Sequence, residues 1–293
     1  DPLALPAMGL SSKEAPLGVL AEADLVLCVG YDLVEWAPAV WNPGKDRTII
    51  HVDSTAAEID RAYLPAGEVV GEIGESLRAL ATASRQAALR WQWDGFAAYA
   101  RNDEDLADES FPVRPQTLIR DLRRVLADDD ILISDVGVHK LWIATLFRAS
   151  RPNTVVIPNG LASMGIAVPG AVAAKLVLPQ SKVVAVTGDG GFMMNSQELE
   201  TAKRLKTALV VVVLADSSYG IIELNQKRRF GRTFGVEFGN PDFVAYAKSF
   251  DIPAFAVDRT EDLEPTLRRA LDLDTPSLVA VPVDNSQSPA ALS

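Results

Sequence analysis

Two short turns hold the residues whose types and spacing can do chemistry. Residues 183–187 run into Gly188-Asp189-Gly190-Gly191, and residues 209–214 run into Ala215-Asp216-Ser217-Ser218-Tyr219-Gly220. Each apolar run has strand length and ends in small and polar residues, the pattern of a buried strand entering a turn. One helical pattern, 196–205, separates them. The three therefore form a strand–helix–strand unit whose right-handed crossover brings both turns to one sheet edge. Adjacent strands lie about 4.8 Å apart, so Asp189 and Asp216, 27 positions apart, can approach one cation. Two carboxylates, with backbone carbonyls and water, suit Mg²⁺, a hard ion that takes oxygen ligands and substrate phosphates. Gly190 and Gly191 expose main-chain amides that no side chain covers. Tyr219-Gly220-Ile221 open a helix whose free N–H groups and dipole favour negative charge. A metal joining two carboxylates to a diphosphate overcomes the repulsion among them. Gly-Asp-Gly alone is an ordinary turn; the second acidic turn at the expected crossover gives it a purpose.

The elements that must position these turns read as α/β. From residue 115 the pattern predicts a helix over 115–127, with Pro115 in the first turn and Leu118, Ile119, Leu122 and Leu126 on one face. Strands are expected at 131–134, 154–157, 183–187, 209–214, 254–257 and 278–283. Helices are expected between them at 138–148, 166–178, 196–205, 219–229, 242–250 and 263–272. Six strands with intervening helices make a doubly wound parallel sheet, which binds ligands beyond the strand C-termini. The first region shows only three strands, 26–30, 48–53 and 68–73, with helices at 17–23 and 56–62, and is read as the later part of a larger doubly wound domain. A long helical pattern over 75–101, the acidic stretch 102–109 and two X-Pro steps, Phe111-Pro112 and Arg114-Pro115, read as a connection. The expected organisation is 1–80 as part of a middle domain, 81–114 as linker helix and connector, and 115–293 as a complete diphosphate-binding domain.

Composition narrows the classes. Hydrophobic residues make up 48% and charged residues 23% of 293, enough for two packed cores. The longest apolar runs are strand-length, so no membrane span is expected. A formal charge of −11 argues against general affinity for nucleic acid or anionic membrane, so an anionic cofactor needs a local device such as a metal and backbone amides. One cysteine, Cys28, and two histidines, His51 and His139, exclude most zinc-site patterns and any internal disulfide, and fit a reducing compartment. The chain opens on Asp1-Pro2, which reads as a cut inside a longer protein.

The pairing of Gly188-Asp189-Gly190 with Asp216 resembles the signature of thiamine-diphosphate enzymes. The match continues through Gly191-Phe192-Met193-Met194-Asn195 and Gln197-Glu198-Leu199-Glu200-Thr201-Ala202, a run similar to that of acetolactate synthases. Gly30-Tyr31-Asp32-Leu33-Val34-Glu35-Trp36, Trp41-Asn42-Pro43, residues 46–53, Arg232-Thr233 and Phe238-Gly239-Asn240 resemble the catabolic, FAD-independent branch. The resemblance implies that Asp189 and Asp216 ligate Mg²⁺ by side chain and Ser218 by its carbonyl. It implies that the Gly137-Val138-His139 loop, Gly188, Gly190, Gly191, Tyr219, Gly220 and Ile221 meet the diphosphate. It further implies that the Ala162 carbonyl and Met164 amide hold the aminopyrimidine, with the Met164 side chain under the bent cofactor. His139 also has a plain reading as a polar helix-start residue, and Met164 as core filler. Trp36, Trp41 and Tyr31 read as packing residues.

In such enzymes two pyruvates condense with loss of CO₂ to acetolactate, through an enamine on the cofactor. An activating Glu comes from an N-terminal domain of a neighbouring subunit. The resemblance thus implies a cytoplasmic homo-oligomer, assembled through an N-terminal domain that these residues lack, and a fragment inactive by itself. No catalytic Glu is assignable here. FAD-binding relatives carry an Arg-containing loop after the strand ending at Gly30; residues 31–36 offer no Arg, so no flavin is expected. Simple decarboxylases place a carboxylate six positions after the metal-binding residue, where this chain has Ile222, with Glu223 one step out of phase. Other 2-oxo acid decarboxylases or carboligases and a non-catalytic homologue remain as alternatives. A dinucleotide-binding dehydrogenase ranks low, because no Gly-x-Gly-x-x-Gly follows a strand and opens a helix with a suitable acidic partner.

Overall fold

A computed structural model describes Leu5, Ala7 and residues 15–34, 36–84 and 108–286. The described residues fall into two compact units, one up to Ser84 and one from Asp108. Both are α/β, with parallel sheets of three and six strands.

The first unit carries β1 (Leu25–Val29), β2 (Thr48–Asp53) and β3 (Gly67–Val70), paired in that order and in parallel, with Cys28 opposite His51 and Val52 opposite Val69. Helices α1 (Ala15–Glu22), α2 (Pro38–Trp41) and α3 (Ile73–Ser84) accompany them. The helical pattern beyond Ser84 lies outside the described residues, as does Glu35. The aromatic side chains serve as packing: Trp41, Tyr63, Ile49 and Cys28 form a buried cluster with Tyr31 and Trp36 against it. Within it the Tyr63 hydroxyl is 2.8 Å from His51 Nδ1.

One expected helix is absent. Residues 56–59 are irregular and 60–63 form a turn, in which local polar side chains and main-chain groups take up the backbone donors a helix would use. Asp60 and Tyr63 exchange main-chain hydrogen bonds of 3.2 and 3.0 Å. The Asp60 carboxylate accepts from Ala62 N at 2.8 Å, and that of Asp53 from Thr55 N at 3.3 Å. Asp residues compete with helix in this way.

In the second unit the strands are β4 (Ile131–Ser134), β5 (Val155–Val156), β6 (Val183–Gly188), β7 (Val210–Ala215), β8 (Ala254–Ala256) and β9 (Ser277–Pro282). Their spatial order is β5-β4-β6-β7-β9-β8, all parallel. The central strands are apolar without interruption because both faces are covered. Alternation divides them between two cores. Leu132, Val184, Val186, Val212 and Val279 face α4 (Pro115–Val125), α5 (Val138–Leu146) and α11 (Leu263–Leu271). Ile133, Ala185, Val211, Val213 and Leu278 face α6 (Ala167–Val177), α7 (Asp189–Phe192), α8 (Glu198–Arg204) and α10 (Phe243–Lys248). Helix α9 (Gly220–Phe230) has no buried residue. The chain leaves β4 for β5 on one side and returns to β6 on the other. The C-terminal ends of β4 and β6 therefore flank a topological switch point, where an open α/β sheet leaves a crevice.

Candidate functional site

The crevice is built from the ends of three neighbouring strands. Beyond β4 come Asp135 to His139, beyond β6 comes α7, and beyond β7 comes the turn 216–219 that starts α9. The register sets Gly188 opposite Leu214, so the two acidic turns emerge side by side. Together they bound an open-mouthed cavity of about 110 Å³, lined by Gly137, Val138, His139, Met164, Gly188, Asp189, Gly190, Gly191, Asp216, Ser218, Tyr219, Gly220 and Ile221, with Val136, Leu214, Ile222 and Asn285. Ala162 does not line this cavity; it sits at φ +44° in a turn between Gly160 and Gly165, which are also left-handed.

Asp189 is 1% exposed and organises the floor. Its Oδ2 accepts from Asp216 N at 3.1 Å, Ser217 N at 2.7 Å and Asn240 Nδ2 at 2.6 Å, while Oδ1 accepts from Gly190 N at 2.8 Å. Ser217, whose amide makes the shorter of the two main-chain bonds, is left-handed at φ +58°, a conformation that costs a non-glycine residue about 1–3 kcal/mol and persists where its surroundings demand it. The Asp216 carboxylate accepts from Asn285 Nδ2 at 2.6 Å and Ser218 N at 3.2 Å. Burial raises the Asp216 pKa, and the charge of Asp189 adds to this against the Asn285 bond.

A third carboxylate, Asp135, is wholly buried and serves the loops. It accepts from Val136 N at 2.7 Å, Gly165 N at 2.8 Å, Ala167 N at 3.1 Å and Thr187 Oγ1 at 3.3 Å. It thereby ties the segment containing Met164 to the ends of β4 and β6. His139 packs its ring over Gly137, where an added Cβ would lie 2.5 Å from the ring. Burial pushes its pKa down to about 4, against the charge and a backbone hydrogen bond of Asp135. His139 Nε2 is buried and has no hydrogen-bond partner among the described residues. Gly190 is required by close approach: a Cβ there would stand 2.6 Å from the Tyr219 ring, which packs on Phe238 with centroids 4.7 Å apart.

Glu223 turns away from the cavity. It accepts from Ser218 Oγ at 2.9 Å and pairs with Lys227, and Lys227 and then the Ser218 bond hold its pKa below the usual range. Ile222 remains at the cavity wall. Asn240 and Asn285 are the contributors that sequence reasoning missed as site residues. Asn240 appears only within a resembling tripeptide, and Asn285 reaches Asp216 across 69 positions; nothing local marks either.

Comparisons with known proteins agree on a family. Residues 135–281 match "Thiamine pyrophosphate enzyme, C-terminal TPP binding domain", and residues 1–80 match "Thiamine pyrophosphate enzyme, central domain". The chain is 38% identical over 289 residues to the catabolic acetolactate synthase of Raoultella terrigena, covering 96% of this chain and 52% of the relative. It is 38% identical over 276 residues to an acetolactate synthase of Bacillus subtilis, covering 92% and 48%. To the acetolactate synthase isozyme 2 large subunit of Escherichia coli it is 28% identical over 294 residues, covering 98% and 53%. The chain thus spans about half the length of these relatives.

Proposed function

This chain belongs to the thiamine pyrophosphate enzyme family, and from that premise we propose that the cavity holds the diphosphate end of thiamine diphosphate with Mg²⁺, and that the whole protein is an acetolactate synthase acting on pyruvate. The donor set fits the metal. Asp189 and Asp216 offer carboxylate oxygens and Ser218 a carbonyl, the hard ligands that Mg²⁺ takes. Among the described residues no cluster of three His, Cys, Asp or Glu side chains is available to hold a metal, so main-chain oxygen and the diphosphate complete the set. Burial, and after it the charge of Asp189, disfavour the ionised Asp216 carboxylate, and a dication between the two carboxylates offsets both effects. The unpartnered Nε2 of His139 is a polar group that a bound ligand satisfies. Gly137, Val138, Gly188, Gly190 and Gly191 line the wall, and the amides of Gly220 and Ile221 at the start of α9 receive negative charge, whereas the Tyr219 amide expected to join them is taken by Val236 O at 2.9 Å. Met164 and Ala162 are assigned to the aminopyrimidine on resemblance.

When bound, the cofactor supplies the carbon nucleophile and electron sink for decarboxylating a 2-oxo acid. The chain's contribution at the cavity wall favours condensation over simple decarboxylation, and Ile222 is the observation that carries this. It brings no proton to the reacting carbon, and the neighbouring acid, Glu223, is held ionised by Lys227 and the Ser218 hydroxyl. The relatives named acetolactate synthase support the same reading. The proposal includes an FAD-independent reaction, a cytoplasmic homo-oligomer, and an activating Glu supplied from outside these 293 residues, which alone turn over little pyruvate. It also includes the division into 1–80 as part of a middle domain, 81–114 as connector and 115–293 as the diphosphate-binding domain. Among the described residues no helix is long and apolar enough to cross a membrane.

The test is product analysis of the intact enzyme with pyruvate, thiamine diphosphate and Mg²⁺, without flavin. Acetolactate is expected as the main product. Acetaldehyde as the main product, or a strict need for FAD, would overturn the reading.

A further inference from the structure

We infer that Asn285 is a positioning residue that holds the Asp216 carboxylate in the orientation from which it ligates the cation. This rests on the reading of Asp189 and Asp216 as the metal's carboxylate ligands. The two carboxylates are supported unequally. Asp189 is braced by three donors on Oδ2, two of them main-chain amides fixed by the turn that follows β7. Asp216 sits in that same turn with one main-chain donor, Ser218 N, at 3.2 Å. Its short bond is the one from Asn285 Nδ2, 2.6 Å to Oδ2. That bond occupies Oδ2 and leaves Oδ1 with only the long contact from its own turn. A carboxylate next to a second carboxylate otherwise rotates away from it.

The residue type suits the task. An Arg or Lys at 285 would orient Asp216 as well, but its charge would compete with the metal for the same oxygens. An amide donates without adding charge, so the pair keeps both negative charges for a dication. Asn285 is itself anchored by its neighbours. Asp284 pairs with Arg114 at 2.8 Å, and its amide donates to Val113 O at 3.1 Å. Ser286 N donates to Asp284 Oδ1 at 2.8 Å, and Ser286 Oγ accepts from Arg114 Nη1 at 3.1 Å. The segment after β9 is therefore fixed on both sides of Asn285 by the start of α4. This is the support that orients a metal ligand from behind, and losing such a partner typically costs about 10–100-fold in metal affinity.

The test measures Mg²⁺ binding by calorimetry, and Mn²⁺ binding by electron paramagnetic resonance, to the intact enzyme with saturating thiamine diphosphate. Asn285→Ala and the near-isosteric Asn285→Leu should each raise the metal Kd about 10–100-fold. Thermal unfolding of both variants in chelator should stay close to wild type. Unchanged metal affinity in both variants would overturn the inference. So would a loss confined to Asn285→Ala, because packing rather than the amide would then be responsible. Asp216→Ala is the control: if it leaves metal affinity intact, the metal-site reading itself fails. If it abolishes affinity while the Asn285 variants do not, only the positioning role fails.

Discussion

Asp189→Ala and Asp216→Ala each remove one carboxylate from the same site, yet the hydrogen bonding makes their effects on stability unequal. Truncating Asp189, 1% exposed, strands the part-buried amides of Asp216 and Ser217 and the buried amide of Gly190, and takes from Asn240 Nδ2 one of its two partners. A buried donor without a partner costs about 1–3 kcal/mol. Because two of the three amides are only part-buried, the low end applies, giving roughly 3 kcal/mol for three donors. Removing the repulsion with Asp216 offsets some of this, leaving about 2 kcal/mol or more. Asp216→Ala strands only Ser218 N and Asn285 Nδ2, both part-buried, and removes a carboxylate whose charge burial already disfavours, which offsets most of that loss. Its net cost is expected near zero to about 1 kcal/mol. With a urea slope of about 2 kcal/mol/M, the Asp189 variant should unfold at a midpoint roughly 1 M lower than the Asp216 variant. The assay is urea unfolding followed by circular dichroism, without cofactor and with chelator. Coincident midpoints, or a lower midpoint for Asp216→Ala, would refute the account of Asp189 as the brace of the β7 turn.

Three further outcomes follow from particular contacts. Gly190→Ala drives a Cβ to 2.6 Å from the Tyr219 ring; it should cost about 1–3 kcal/mol and weaken thiamine-diphosphate binding, and adding Tyr219→Leu should recover part of the stability in the same unfolding assay. His139 is held neutral by burial, with its pKa lowered to about 4, so the stability its neutral form contributes is full above about pH 6.5 and is lost as pH falls toward 4. Wild type should lose about 3 kcal/mol more than His139→Gln across that window, and parallel stability–pH curves would exclude this. Tyr63→Phe leaves His51 Nδ1 without its 2.8 Å partner and should cost about 1–2 kcal/mol; an unchanged unfolding midpoint would count against the buried bond.

Legibility from sequence followed the range of the interaction. Strands β2 and β4 appear at the expected residues, because apolar runs bounded by turn residues encode a strand locally. Helix α4 is equally plain from its one-sided Leu and Ile spacing. The pattern over 56–62 misled, since apolar spacing suggested a helix while Asp53 and Asp60 bind the backbone around them. Helix α2 is a single turn, too short to show a period. At the cavity, the glycines and the two acidic turns lie in contiguous segments and could be read directly. Asn285 could not. Its approach to Asp216 depends on β9 entering between β7 and β8, a strand order that no local pattern states.

The parallel ladders give the site a reading frame. Gly188 is opposite Leu214, and Ala215 is opposite Pro282, so three neighbouring strands all reach the crevice within three residues of their last rung. Lengthening the connections at 205–208 or 272–275 leaves every rung in place, and the fold can absorb such insertions without moving a carboxylate. A single residue inserted inside β6, β7 or β9 does the opposite. It turns alternate side chains to the other face of the sheet and carries Asp189, Asp216 or Asn285 out of step with the other two. Variation in length among related chains should therefore collect in the connections, and grafts into this scaffold should be cut there.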